Sequence, residues 1–311
     1  MNAFIHKTVL QDEAIELLSC TPCKLYIDAT AGGGGHSLQI AQRLSPEGRL
    51  IMLDADPDAI KASAEKLKNY QEITTIIRSN YSKIPEILKE LNIDKIDGGV
   101  LFDLGVSFHQ LTSGERGFSF MNESKLDMRM NPDESLSAYD IVNNWSEDDL
   151  YRIFKELGEE RFSGRIARNI VETRRKKKIK TTKELADLVI KAVPNYRQKI
   201  HPATKIFQGL RITVNRELEI LEETLLKILP LLAKNARIVV ISFHSLEDRL
   251  VKNTFKRYSS KCVCPKEKMI CDCSPPILKI VTKKAVVPSR EEVRENPSSR
   301  SAKLRTAEKI L

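Results

Sequence analysis

Three aspartates close apolar runs in this sequence. Asp28 follows Leu25-Tyr26-Ile27, Asp54 follows Ile51-Met52-Leu53, and Asp103 follows Val100-Leu101-Phe102. Between the first two lies Thr30-Ala31-Gly32-Gly33-Gly34-Gly35-His36. A strand, a side-chain-free turn, a helix and a second strand ending in an acid form the cradle with which α/β sheets hold an adenosine nucleoside. Glycines let the backbone approach a ligand closely, and Asp54 can accept both ribose hydroxyls. Ligands of open α/β sheets sit beyond the carboxyl ends of the strands. Each Asp alone could be a helix cap, but three at one rim favour a binding site.

A dinucleotide fits this cradle poorly. A G-x-G-x-x-G fingerprint begun at Gly32 needs glycine at Ser37, and one begun at Gly33 needs it at Leu38. The third glycine normally lets the helix pack close to the strand beneath a pyrophosphate. Asp28, ahead of the turn, would repel phosphates, yet it suits the cationic methionyl end of S-adenosylmethionine.

The elements that must position these acids follow from periodicity. Strand-like runs at 25–28, 49–54, 73–78, 98–103 and 236–243, with a weaker one at 277–282, are bounded by turn residues. Amphipathic helices are expected at about 36–44, 57–69 and 82–91, the second opened by Asp56-Pro57, a cap followed by proline at the first helical position. Strands alternating with helices of this length imply an α/β fold with a parallel, doubly wound sheet.

From about 110 to 205 the rhythm breaks and only helix signals remain, at roughly 137–144, 147–157, 160–178 and 182–193, with starts at Ser146 and Thr181-Thr182. One long helix is then expected, because Phe207, Leu210, Val214, Leu218, Leu221, Leu225 and Ile228 form a single apolar stripe. It leads to the apolar run 236–243. The expected organisation is a sheet domain made of 1–109 and 206–311, with an all-helical insertion at 110–205. The segment from about 259, rich in Pro, Lys and Ser, is expected to be extended chain and loops.

With 311 residues and 41% hydrophobic content, the chain can bury a substantial core. No apolar run reaches membrane-spanning length, and Met1-Asn2-Ala3-Phe4-Ile5-His6-Lys7 lacks a signal-peptide core, so a cytoplasmic protein is expected. The net charge of +9 is unevenly spread: residues 1–110 hold 11 basic against 15 acidic groups, 111–210 hold 19 against 15, and 211–311 hold 21 against 12. Residues 161–211 alone carry 15 basic and 3 acidic side chains. An acidic cofactor half joined to basic later segments points to a polyanionic substrate such as nucleic acid. A single run such as Arg174-Arg175-Lys176-Lys177-Lys178 would more commonly be a solvated face.

Further candidates lie outside the cradle. The loop from Ser113 to Met130, with two glycines, two phenylalanines and alternating charge, is long enough to be functional. His201 precedes the long helix, and His244 leaves the fifth strand beside the rim, where a structural histidine is about as common as a substrate contact. Cys262, Cys264, Cys271 and Cys273 form two C-x-C pairs. Such pairs can ligate zinc, although structural sites favour C-x₂₋₄-C, and free thiols on a surface loop are the plainer reading. Cys20 and Cys23 stand apart, and disulfides are not expected in a cytosolic chain.

These segments together resemble a known family. The motifs are His6-Lys7-Thr8-Val9-Leu10, Asp28-Ala29-Thr30-Ala31-Gly32-Gly33-Gly34-Gly35-His36, Asp103-Leu104-Gly105-Val106-Ser107 and Glu115-Arg116-Gly117-Phe118-Ser119-Phe120. They continue with Leu126-Asp127-Met128-Arg129-Met130, Gly158-Glu159-Glu160-Arg161-Phe162, His201-Pro202-Ala203-Thr204, Phe207-Gln208 and Leu210-Arg211-Ile212. Val240-Ile241-Ser242-Phe243-His244-Ser245-Leu246-Glu247-Asp248-Arg249 and Arg300-Ser301-Ala302-Lys303-Leu304-Arg305 complete them. In this order, from His6 to Arg305, the chain resembles the bacterial 16S rRNA (cytosine-N4)-methyltransferases, the MraW family.

The resemblance implies a Rossmann-like class I S-adenosylmethionine-dependent methyltransferase sheet carrying the helical insertion, which becomes the expected RNA-recognition domain. The implied target is the exocyclic amine of one cytidine in the decoding region of 16S rRNA within the small ribosomal subunit, with no membrane and no DNA partner. The implied cofactor contacts are Gly34, Gly35, His36, Asp54, Tyr81, Asp103 and Gln110. Asp103 is also the candidate catalytic residue, since a carboxylate accepting an amine N–H would offset the charge that develops during transfer. Five residues in three places depart from the family pattern. Tyr81 replaces Phe, Phe108-His109 replaces Ser-Pro, and Ser298-Ser299 replaces Arg-Ala, which removes one arginine that could contact a phosphate. Two rivals are a non-catalytic ribosome assembly factor, disfavoured by the intact glycines and acids, and an NAD-dependent oxidoreductase, disfavoured by Ser37 and Leu38.

Overall fold

The structure, a computed structural model, describes residues 8–105, 116–194, 201–262, 264 and 274–311. In chain order the elements are α1 (Gln11–Leu18), β1 (Leu25–Asp28), α2 (Gly35–Ala41), β2 (Arg49–Asp54), α3 (Pro57–Lys66), β3 (Thr74–Arg78), α4 (Ile84–Glu90) and β4 (Gly99–Asp103). Five helices follow: α5 (Ala138–Asn144), α6 (Glu147–Glu156), α7 (Ser163–Lys176), α8 (Thr182–Ala192) and α9 (Ala203–Asn215). The chain ends with α10 (Glu217–Ile228), β5 (Arg237–Ser242), α11 (Ser245–Ser259), β6 (Leu278–Ile280), α12 (Arg290–Glu295) and β7 (Lys303–Lys309). It divides into two compact units, residues 1–105 with 218–311 and residues 106–217.

The first unit is built on a seven-stranded sheet of order β3-β2-β1-β4-β5-β7-β6. Neighbours from β3 to β5 run parallel, whereas β7 is antiparallel to both β5 and β6. Strand residues alternate between two apolar layers, as the two-residue period of a strand requires. Ile27, Ile51, Leu53, Val100, Phe102, Ile238 and Val240 pack with α4, α10 and α11. Tyr26, Leu50, Met52, Leu101, Val239 and Ile241 pack with α1 and α2 on the other face. Both faces are covered, so β1 is buried at all four positions and reads as an apolar run up to its final residue, Asp28. The chain builds β1, β2 and β3 outward in one direction, then returns to place β4 on the other side of β1. The crevice at this reversal is where open α/β sheets take their ligands. It is flanked by the carboxyl ends of β1 and β4, the strands that end in Asp28 and Asp103.

The second unit is helical among its described residues, with α5 to α9 around Ile141, Leu150, Phe154, Ile166, Ile170 and Leu210. The loop 116–130 contributes Phe118, Leu126 and Met128 to the same core.

Two sequence expectations are corrected. The single long helix is two helices, interrupted at Arg216, which adopts the left-handed conformation with φ of 49°. The apolar stripe serves two cores: Phe207, Leu210 and Val214 pack in the helical unit, and Leu221, Leu225 and Ile228 pack under the sheet. A one-residue break leaves hydrophobic spacing almost unchanged, so periodicity cannot reveal it. The same packing carries the helical unit to residue 217, beyond the boundary at 205 drawn from the sequence, because α9 belongs to its core.

The C-terminal segment is also not merely extended chain and loops, since it supplies β6, α12 and β7, and β7 lies inside the sheet. Four of its seven residues are charged, which hid the strand from a hydropathy reading. Those charges are placed by tertiary contacts. Arg305 Nε lies 2.6 Å from Asp248 Oδ1, Glu308 pairs with Arg237 at 2.9 Å, and the Lys309 ammonium donates to the Leu229 carbonyl at 3.0 Å.

Candidate functional site

The chain leaving β1 is laced between its neighbours. The Ala29 N–H donates to the Leu101 carbonyl of β4 at 2.9 Å, and the Ala31 N–H donates to the Leu53 carbonyl of β2 at 2.8 Å. This fixes Asp28, Asp54 and Asp103, each the last residue of its strand, at one rim.

Asp28 is 1% exposed and both its oxygens are engaged. Ser37 Oγ donates to Oδ2 at 2.5 Å, and the Thr30 N–H donates to Oδ1 at 3.2 Å. Burial pushes the carboxyl up to about 6; the bonds from Ser37 and Thr30 counter this in part, and the nearby Asp54 adds to it. Thr30 reaches the neighbouring acid too, since its Oγ1 accepts the Asp103 N–H at 2.6 Å.

Asp103 differs from Asp28 in having acceptor capacity to spare. Its Oδ2 lies 3.6 Å from His36 Nδ1, while its Oδ1 is buried with no hydrogen-bond partner among the described residues. Burial, then the charges of Asp28 and Glu247, hold this carboxyl well above the usual carboxylate range. Asp54 accepts the Gly32 N–H on Oδ2 and the Asp56 N–H on Oδ1, both at 2.9 Å. Burial raises its pKa against those two bonds. Two backbone donors leave further lone pairs on Asp54 for hydroxyl groups. Among the described residues, the only basic side chain within ion-pair distance of these three carboxyls is His36, a partner that is charged only when protonated.

The glycine turn has two kinds of glycine. Gly34 caps α2 with φ of +73°, and a Cβ on Gly35 would lie 1.8 Å from Thr8 Oγ1, so the protein's own packing demands glycine at both. Around Gly33 a Cβ would meet nothing within 4 Å. Tyr81 opens a short turn after β3 and meets Phe102 of β4 edge-on, with ring centroids 5.6 Å apart.

Glu247 was not singled out in the sequence, although it bears on Asp103. It is 2% exposed at the start of α11 and accepts the Phe243 N–H at 2.8 Å and the His244 N–H at 3.3 Å. His244 caps the same helix through Nδ1, which accepts the Glu247 N–H at 3.3 Å. The spacing His244-x-x-Glu247 of a capping box was the available signal, with histidine standing where serine or threonine is usual. Ser37 and Thr30 were likewise missed as partners of the acids.

The rim thus joins Asp28, His36, Ser37, Asp54 and Asp103, with Tyr81 at the end of the next strand. Gln110 lies outside the described residues, as do Phe108, His109, Cys271 and Cys273. Cys262 is exposed and Cys264 half-buried. In the helical unit His201 stacks on Phe120, with ring centroids 4.6 Å apart, and its Nδ1 accepts the Ala203 N–H at 3.2 Å. Among the described residues, no helix is long and apolar enough to cross a membrane.

Buried acids with so little positive charge beside them among the described residues suit a cationic ligand with hydroxyl donors. Residues 3–310 match the MraW methylase family. A protein of Clostridium botulinum (strain Loch Maree) named ribosomal RNA small subunit methyltransferase H is 48% identical over 309 residues, covering 99% of each chain. A protein of the same name from Caldicellulosiruptor bescii is 48% identical over 308 residues, covering 99% of this chain and all of the other. The solved structure of an rRNA methylase from Streptococcus thermophilus aligns over 99% of both chains with a TM-score of 0.45 and 10% identity.

Proposed function

The chain belongs to the MraW methylase family, and from that premise we propose that it methylates N4 of a cytidine in the decoding region of 16S rRNA, acting on the small ribosomal subunit. S-adenosylmethionine, as methyl donor, supplies a sulfonium whose methyl is already activated toward a nucleophile. The site's work is therefore alignment and electrostatics. The turn at Gly34, Gly35 and His36 would receive the cofactor, Asp54 its ribose hydroxyls and Tyr81 its adenine. Asp103 and Gln110 would complete the set. The protein would work in the cytoplasm, where its ribosomal substrate resides, without membrane or DNA partners.

The observation that carries the reading is the buried Oδ1 of Asp103, without a hydrogen-bond partner among the described residues, at the crevice between β1 and β4. The cytosine amine is a poor nucleophile because its lone pair is delocalised into the ring. An ionised Asp103 accepting one amine N–H favours a pyramidal nitrogen and offsets the positive charge that develops there. The ionised carboxyl is the stronger acceptor and alone carries the charge that offsets the one developing on nitrogen. A cation nearby favours that form, so cofactor binding prepares the acceptor. The target base must leave its stack to reach such a site.

The test uses small subunits from a strain lacking the enzyme, incubated with purified protein and S-adenosylmethionine. After digestion, mass spectrometry of the rRNA is expected to show N4-methylcytidine at one position. Intact cofactor binding without that nucleoside would transfer the proposal to another RNA or to a non-catalytic assembly role.

A further inference from the structure

In the helical unit, the turn from α7 into α8 carries six exposed cations, Arg175, Lys176, Lys177, Lys178, Lys180 and Lys183. The backbone beneath them is held firmly. Ile179, in their midst, is 1% exposed, and its N–H and carbonyl both bond the Asn143 side chain, at 3.0 and 2.8 Å. Glu184 closes a capping box with Thr181 and also accepts the Lys180 N–H at 2.6 Å. Its carboxylate pairs with Lys177 at 3.0 Å. The acids close to them along the chain are three: Glu172 on α7 and Asp187 on α8 are exposed, and Glu184 is already engaged.

A second segment is stitched to this turn. Lys125 forms an antiparallel bridge with Thr181, the Thr182 N–H donates to the Ser124 carbonyl at 2.9 Å, and Thr182 Oγ1 donates to the Asn122 carbonyl at 2.8 Å. The Leu126 N–H donates to the Lys180 carbonyl at 3.2 Å. These bonds place exposed Lys125 and exposed Glu123 beside the basic turn. They also place Met121 there, 81% exposed and the most exposed large apolar side chain among the described residues. A free methionine beside a fixed rank of cations has no role in the unit's own core.

We propose that this surface, the basic turn 175–183 with the Met121 loop, is an rRNA contact in which the cations neutralise backbone phosphates and Met121 packs against an accessible base or groove edge. The inference rests on the rRNA reading above and adds the part of the insertion that meets the RNA. Phosphate contacts set position and make binding salt-dependent, whereas an apolar tip adds affinity that salt does not screen. The two components can therefore be separated experimentally.

The experiment measures binding of the full-length protein to unmethylated small subunits and to naked 16S rRNA across a salt series. Two variants are compared with wild type: Arg175→Gln/Lys176→Gln/Lys180→Gln/Lys183→Gln, and Met121→Ser. Each lost phosphate contact should reduce the slope of log K against log salt by about 0.7–0.9. The quadruple variant is thus expected to bind both RNAs about 10- to 100-fold more weakly at moderate salt, with a slope shallower by roughly 3. Met121→Ser should weaken binding several-fold with the slope unchanged. S-adenosylmethionine affinity and Tm report that both variants are folded, and both should match wild type. Wild-type affinity and slope in both variants overturn the proposal. Weakened binding to subunits with unaltered binding to naked rRNA also overturns it, in favour of a ribosomal protein as partner. If wild-type protein binds rRNA through this surface yet forms no N4-methylcytidine, the surface stands and the proposed reaction fails.

Discussion

Ser37 Oγ donates to Asp28 Oδ2 at 2.5 Å, joining the first turn of α2 to the end of β1. Both residues are buried, and Ser37 occupies the position where a dinucleotide fingerprint would place glycine. The hydroxyl that excludes the third glycine is thus the group that holds the first acid of the rim. Ser37→Ala should leave the Asp28 oxygen buried and short of a donor, at a cost of about 1–3 kcal/mol. Thermal unfolding should show a Tm lower by several degrees, and calorimetry should show weaker S-adenosylmethionine binding. Ser37→Gly should show no gain of NAD binding. An unchanged Tm for Ser37→Ala would mean that this bond contributes nothing to the fold.

The raised pKa of Asp28 fixes the sign of a pH effect. Its folded value of about 6 exceeds that of an unfolded aspartate, so the folded state holds the proton more tightly. The stability this group lends is fully present below about pH 4 and is lost as pH rises through about 6. Its size is on the order of 3 kcal/mol. Compared with Asp28→Asn, cofactor-free wild type should therefore lose stability between pH 4 and 7. A cationic ligand prefers the ionised site, so S-adenosylmethionine affinity should rise with pH over the same window. Calorimetric titrations from pH 5 to 7.5 test this, and a flat profile would exclude Asp28 from the linkage.

Asp103 and Glu247 make a linked pair of predictions. Asp103→Asn removes the charged acceptor while keeping its shape, and kcat should fall by about 10²–10³-fold. Full turnover with wild-type cofactor affinity would rule Asp103 out as catalytic. Glu247 raises the Asp103 pKa by its charge, and Gln can still accept the Phe243 N–H. Glu247→Gln should therefore move the acid limb of the kcat/KM profile to lower pH, with kcat at high pH retained. A limb that stays in place would show that Asp103 does not govern it.

The break between α9 and α10 has its own test. Arg211 Nε and Nη2 donate to the two Glu217 oxygens at 2.9 and 3.0 Å, across the left-handed Arg216. Arg211→Met would leave the Glu217 carboxylate, 9% exposed, without this fork. A loss of about 3 kcal/mol is expected, measured by denaturant unfolding. A loss below about 0.5 kcal/mol would mean the pair is no stronger than a surface bridge.

The positions of the first six strands along the chain, the three rim acids and the helical insertion were legible in the sequence because each rests on local periodicity. An apolar run of four to six residues ending in Asp, or a stripe at helical spacing, is written in neighbouring positions. Family membership was legible for the same reason, as ordered motifs along the chain. The break at Arg216 was not, because a single left-handed residue barely shifts an apolar stripe. Nor was β7, whose charges at Arg305, Lys309 and Glu308 take partners from Asp248, Leu229 and Arg237, more than fifty residues away. The sequence alone determined that three carboxylates would line one rim. Only the tertiary structure decided what each has left to give: Ser37 and Thr30 occupy Asp28, two backbone N–H groups engage Asp54, and Asp103 keeps a buried oxygen with no partner among the described residues. Hydrogen-bond satisfaction depends on groups that meet in space, and no spacing along the chain encodes it.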